Sequence, residues 1–305
     1  MPITYTLRQL AYFVAAAECG SVAGAARSLN VSQPSVSTAI AKLEGLFGVQ
    51  LLLRHHAHGV TPTPAGQPLL AEARSLLAHA GELSERARGL GHELRGRLDV
   101  GCYLTIAPFF MPSIVTGFTA EYPAVDIALD EGHQVELLRG LESGRFTVAL
   151  LYDYELGPHL DVRPLIDLPP YVLLPAYEPL ARQESVALAD LAAEPMILLD
   201  VPPGREYFTS LMLKAGFEPN IRFRTPSFET VRGMVGAGMG YALLITRPAA
   251  DVTYDGRGVV CRPLADAVEP GHIALARLAQ ARPTRLVDSF ANFCAAYFAD
   301  YQLAG

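Results

Sequence analysis

The sequence predicts two architectures in one chain: an α+β N-terminal winged helix-turn-helix extended by a long linker helix, and an α/β body behind it. Three observations carry this. Capped helical patterns ending in a short hairpin run from Thr6 to Gly66. An apolar seam of alternating four- and three-residue steps follows, from Leu69 to Leu94. From Arg97 onward, short apolar runs alternate with helical stretches, the pattern of parallel strands joined by crossover helices.

The first helix opens on Thr6 with Gln9 three residues on, a capping box. Leu7, Leu10, Phe13, Val14 and Ala17 then share one helical face. Gly20 breaks the pattern, and Ser21 caps a second helix, Val22 to Leu29, whose alanines permit close helix approach. Asn30 tolerates the left-handed conformation that ends a helix. Ser32 caps the third helix, with Val36, Ile40, Leu43 and Phe47 inward. Its outward start, Gln33, Pro34, Ser35, Ser37 and Thr38, carries short polar side chains of the kind that reach base edges in a major groove. In isolation such residues are more often simple caps. The ordered series of helix, helix, turn, helix and hairpin favours double-stranded DNA as the partner. The hairpin tip holds His55, His56 and His58, without a Cys or acidic neighbour, so a solvated wing is favoured over a metal site.

The segment SVAGAARSLNVSQPSVSTAIAKLEGLFGVQLLLRHHAHGVTPTPAG strongly resembles the LysR-type transcriptional regulators. The match lies in A-A-x-x-L-x-x-S-Q-P-x-V-S, then I-x-x-L-E, then L-x-R and T-P-A-G. The resemblance implies that Gln33, Pro34 and Ser37 face bases and that Arg54 sits in the wing near the minor groove. Ser21, Ser32, Ser35, Thr38, Lys42, His56 and His58 complete the expected DNA-contacting set. Departures are a Thr at 38 and an Ala at 41, where the family usually has basic residues. The wing is also one residue longer, with histidines in place of a second arginine. The family also often has Asp at the place of Thr147.

Thr63-Pro64 reads as a helix opening. The seam Leu69, Ala73, Leu76, Ala80, Leu83, Ala87, Leu90, Leu94 is a heptad a/d pattern, which predicts pairing with a second copy of the helix over about 40 Å. The alternative is an amphipathic helix packed on its own domain. Gly89, Gly91 and Gly96 mark a hinge. Paired heads imply a roughly palindromic site with half-sites about one helical turn apart. The resemblance adds a homodimer through this helix and a homotetramer.

In the body the expected elements are strands at Leu98–Tyr103, Val125–Leu129, Phe146–Leu151, Tyr171–Leu174, Met196–Leu199, Ile221–Arg224 and Tyr241–Leu244, with helices at Pro108–Tyr122, Val135–Leu141, Arg205–Ala215 and Glu229–Ala237. The resemblance makes this a two-lobed periplasmic-binding-protein-like clamp. It divides the chain at 1–62, 63–93 and 94–305, with lobe I at about 94–164 and 270–305 and lobe II at about 165–269. Ligands of open α/β sheets lie beyond the carboxyl ends of strands. That places Cys102, Tyr103, Leu104, Thr105, Gly132, His133, Tyr152, Pro202, Arg205 and Phe228 around a small-molecule effector. Helix starts at Thr105 and Gly204 favour anions, and Arg205 is the candidate grip for a carboxylate. Gly236 to Gly240 follows a helix and precedes a strand, the wrong order for a dinucleotide loop.

The net charge of −7 divides unevenly, with +2 in residues 1–66 and −9 beyond. Only local charge matters at phosphates, and +2 per subunit asks for at least a dimer. Four widely spaced cysteines, no signal peptide and no apolar membrane span point to a reducing cytoplasm. No motif for an enzyme, metal or cofactor is present, which leaves a ligand-responsive regulator ahead of a ligand-independent repressor or an α/β enzyme with a helical appendage.

Overall fold

The computed structural model describes residues 4–55, 59–87 and 93–301. Helices α1 (Leu7–Glu18), α2 (Val22–Ser28) and α3 (Gln33–Phe47) pack together beside the hairpin β1 (Leu52–His55) and β2 (Gly59–Pro62), and α4 (Gly66–Ala87) leads away. The caps form as the sequence requires. Thr6 Oγ1 accepts the Gln9 N–H at 3.2 Å, while Gln9 Oε1 accepts the Thr6 N–H at 2.8 Å. Ser21 and Ser32 accept from Gly24 and Ser35 at 3.2 and 3.3 Å. Asn30 is left-handed, with φ 57°. Phe13, Ala16, Ala25, Val36, Ile40 and Leu43 form a sealed core, and each large side chain so buried contributes about 1.5–3 kcal/mol. Leu7 departs from the expected stripe and stays 46% exposed, because the first turn of α1 lies at the edge of this core.

The wing is anchored by Glu44, whose Oε1 accepts the Leu51 and Leu52 N–H groups at 2.8 and 3.2 Å. Thr63 Oγ1 donates to Gln50 O at 2.7 Å and accepts the Gly66 N–H at 2.9 Å. A Cβ on Gly66 would stand 2.1 Å from Leu51 O, so no larger residue fits that turn. Regular helix begins two residues after Pro64, yet the Gln67 N–H already bonds Thr63 O at 3.0 Å. The seam ends sooner than the spacing implies. Leu90 lies outside the described residues, and Leu94 packs on the core of the body because the strand starting at Arg95 carries it there.

The body contains β3 (Arg95–Tyr103), α5 (Ala107–Glu121), β4 (Ala124–Gly132), α6 (Gln134–Glu142), β5 (Val148–Tyr152), β6 (Leu160–Leu168) and β7 (Tyr171–Pro175). There follow α7 (Leu188–Leu191), β8 (Met196–Leu199), α8 (Gly204–Lys214), β9 (Ile221–Thr225), α9 (Phe228–Gly236), β10 (Ala242–Leu244), β11 (Val259–Pro263), β12 (Gly271–Leu278) and α10 (Arg285–Ala299). The first sheet has the order β4-β3-β5-β12-β6. Its β3–β4 and β3–β5 pairs are parallel, but β12 is antiparallel to both neighbours because it returns from the second lobe. The expectation of purely parallel sheets fails there. Gly101 faces Phe146 and Leu137 of the α6 side, so its neighbour Cys102 points to the α5 and α10 side. The aromatic cluster of Phe110, Phe118, Phe290 and Phe298 fills that second layer.

In the second lobe β7 lies between β10 and β11, antiparallel to both, and β8 pairs with β9 in parallel. The Ile197 N–H bonds Tyr241 O at 2.8 Å and joins the two sheets. Alternate β7 residues feed two cores, Val172 and Leu174 toward α8, Tyr171 and Leu173 toward α9. The chain crosses between lobes twice, at residues 169–170 and 264–270, beside the paired strands β6 and β12. Neither strand stood out in the sequence. β6 is a sheet edge with a mixed buried and exposed pattern, and edge strands need no continuous apolar run.

Candidate nucleic-acid interface and ligand cavity

The N-terminal end of α3 presents Ser32, Gln33, Pro34, Ser35 and Thr38 exposed and Ser37 half-buried, with Lys42 exposed one turn after Thr38. The Ser32 and Ser35 hydroxyls bond each other at 2.7 Å and are engaged in the cap. Gln33, Thr38 and Lys42 remain the outward polar groups, with Gln33 at the positive end of the helix dipole. Ser21 is half-buried and serves as the α2 cap. Arg54 is exposed on β1 opposite Val60. His55 Nε2 meets Thr61 Oγ1 at 2.8 Å across the hairpin, while His56 and His58 lie outside the described residues. On α4, Leu70 and Ala73 are buried against the head, whereas Leu76 and Leu83 are 42% and 69% exposed.

A cavity of about 670 Å³ opens between the lobes, beyond the carboxyl ends of β3, β5 and β8. Tyr103, Thr105, Tyr152 and Phe228 line it as the strand-end argument requires. Tyr103 spans the cleft, its hydroxyl donating to Pro202 O at 2.7 Å. Phe109 and Phe228 meet edge-to-face across the same gap, centroids 5.4 Å apart. Thr105 Oγ1 and Tyr152 Oη are 2.9 Å apart, and Tyr207 Oη donates to Glu269 O at 2.6 Å. Burial pushes the Tyr103, Tyr152 and Tyr207 phenols well above their usual range, so all three stay neutral.

Other expected residues stand apart from the cavity wall. Cys102 is fully buried in the sheet core, where burial pushes its thiol up. Leu104 is half-buried, its N–H held by Gly132 O at 3.2 Å. His133 caps α6 and leans edgewise on the Tyr103 ring. Pro202 contributes its carbonyl to Tyr103 rather than a wall. Arg205 lies outside the lining, and its guanidinium bonds Asp200 and Glu206, both at 2.9 Å.

Sequence reasoning passed over Tyr207, Lys214, Asp266, Glu269 and His272, all of which line the cavity. A signal existed on α8. Gly204, Tyr207, Phe208, Leu211, Lys214 and Ala215 recur at helical spacing, and this face turns to the cavity. The crossing at 264–270 gave none, because loop residues carry no periodicity.

Among the described residues no helix is long and apolar enough to cross a membrane. The family model for the LysR substrate binding domain matches residues 91–299. The model for the bacterial regulatory helix-turn-helix protein, lysR family, matches residues 7–67. The crystal structure of HinK, a LysR family transcriptional regulator from Pseudomonas aeruginosa, is similar at 44% identity and a TM-score of 0.67, covering 97% of this chain and 99% of that one. The DNA-binding transcriptional dual regulator OxyR of Escherichia coli (strain K12) is 36% identical over 239 residues, 78% of each chain. The HTH-type transcriptional regulator TdfR of Cupriavidus pinatubonensis is 32% identical over 279 residues, 90% of this chain and 93% of that one. A reading head, a linker helix and a two-lobed clamp are thus found together with matches along nearly the whole chain, and the protein belongs to the LysR family of DNA-binding transcriptional regulators with an effector-binding domain, not to the enzymes.

Proposed function

We propose that this regulator acts in the cytoplasm as a homodimer joined along α4, assembling further to a homotetramer, and reads a roughly palindromic DNA site. The division at residues 1–62, 63–93 and 94–305 then separates reading, pairing and sensing. In the head, Gln33, Pro34, Ser37 and Thr38 read base edges, Ser21, Ser32, Ser35 and Lys42 hold the backbone, and Arg54, His56 and His58 form the wing contact. The exposed seam leucines of α4 support the pairing, because two apolar side chains left in water on one helical face gain about 1.5–3 kcal/mol each on burial.

The observation that carries the sensing role is Tyr103, which lines the cavity and hydrogen-bonds across it. A small molecule there contacts both lobes, and its affinity therefore differs between open and closed states, which is the requirement for coupling. The test is footprinting of the full chain on its upstream DNA with and without cavity ligands. Two protected half-sites about one turn apart, altered by a ligand, support the reading. A single protected site, or protection indifferent to every cavity ligand, refutes it.

Several relatives are called hydrogen peroxide-inducible genes activators. A thiol-based response is disfavoured in this chain. None of its four cysteines lines the cavity, Cys102, Cys261 and Cys294 are buried with their thiols pushed up, and the exposed Cys19 lies in the head rather than in either lobe.

A further inference from the structure

Resting on the reading of this cavity as the effector site, we propose that its ligand is an organic cation: an ammonium group carried on an aromatic or apolar body. Three carboxylates line the cavity, Asp153 after β5 and Asp266 and Glu269 on the crossing. One ammonium faces them, Lys214 at the solvent-exposed end of α8. His272 adds no free charge, since its Nδ1 is 2.7 Å from Asp167. The lining charge therefore favours a cation.

Hydrogen-bonding capacity points the same way. A carboxylate ligand needs donors, and apart from the Lys214 ammonium the hydroxyls of Tyr103 and Tyr207 in the lining are already engaged. Tyr103 donates to Pro202 O, Tyr207 donates to Glu269 O, and Arg205 is held by Asp200 and Glu206. Acceptors are in surplus. Asp266 Oδ2 takes the Leu188 N–H at 2.7 Å, but the Asp153 and Glu269 carboxylates make no hydrogen bond or ion pair among the described residues. The α8 N-terminus at Gly204 offers about half a positive charge, and Glu206 in its first turn already complements it. The walls suit an aromatic cation. Tyr103, Tyr152, Tyr207, Phe208 and Phe228 line it, and a cation over an aromatic face gains further attraction. The volume of about 670 Å³ falls in the range of small-molecule pockets.

The experiment compares isosteric pairs of opposite charge on the full-length protein by thermal shift and calorimetry. The pairs are phenethylamine with 3-phenylpropionate, benzylamine with benzoate, and butylamine with butyrate. Saturable stabilisation by an amine without stabilisation by its acid partner is expected. Asp153→Asn and Glu269→Gln, both surface changes that leave the fold intact, are expected to weaken that amine at least tenfold each. Stabilisation by an acid, lost in Tyr103→Phe, would overturn the charge assignment while upholding the cavity as the effector site. Silence from every pair would overturn both. Amine binding indifferent to Asp153→Asn and Glu269→Gln would also overturn the proposal.

Discussion

The Nε of Arg74 lies 3.0 Å from Glu18 Oε1, tying the linker helix to the last turn of α1. The same guanidinium donates from Nη1 to Ser143 O at 2.8 Å, where α6 ends. Beside it Gly144, with φ 67°, packs so closely on Ala71 that a Cβ would stand 2.8 Å from the Ala71 Cα. One arginine on α4 therefore touches both the DNA head and the first lobe. Glu18 is half exposed, and exposed pairs of this kind are worth about 0–1 kcal/mol. A double-mutant cycle of Arg74→Ala and Glu18→Ala in chemical denaturation should give a coupling below about 1 kcal/mol. Amide exchange at Ser143 and Gly144 should nevertheless quicken in Arg74→Ala. Unchanged exchange there would mean that the junction does not form in solution.

Gln33→Ala should weaken specific DNA binding by about 1–3 kcal/mol and relax one base position, because an exposed amide at the start of α3 is suited to bidentate base contact. Fluorescence anisotropy on specific and random duplexes separates the outcomes. Equal loss on both would reduce Gln33 to a backbone contact.

Leu76 and Leu83 are the exposed leucines of the seam among the described residues. Replacing both by Asp should abolish dimerisation while the head and body remain folded. Sedimentation equilibrium reads the mass directly. A dimeric mass in the double variant would assign the pairing surface elsewhere.

Glu44→Ala removes the acceptor of two backbone N–H groups at the start of the wing. Leaving them without that partner costs about 1–3 kcal/mol of head stability. The melting transition of residues 1–87 should fall accordingly, with DNA affinity reduced through the displaced hairpin rather than a lost contact. An unchanged melt would show that water replaces the carboxylate at no cost.

Burial pushes the Cys294 thiol up to about 12, against an ordinary value near 9. The folded protein then holds this proton more tightly than the unfolded chain. Its contribution to stability is complete below pH 9 and is lost as pH rises from about 9 toward about 12. Cys294→Ala should flatten part of the alkaline fall in melting temperature. In the native protein at neutral pH, only Cys19, which is exposed, should react quickly with a thiol reagent. Rapid labelling of two or more thiols would contradict the packing described.

The sequence by itself determined much that depends on local chemistry. The caps at Thr6, Ser21 and Ser32, the left-handed Asn30, the order of the head and the alternation of the body follow from hydrogen bonding and periodicity within a few residues. The tertiary structure decided what depends on distant segments meeting. Glu44 became the wing anchor because its helix ends beside Leu51. Asp153, Asp266 and Glu269 came to share one cavity although more than a hundred residues separate the first from the others. Electrostatics is a property of positions in space, and a chain that crosses between lobes twice assembles charges that no sequence window contains.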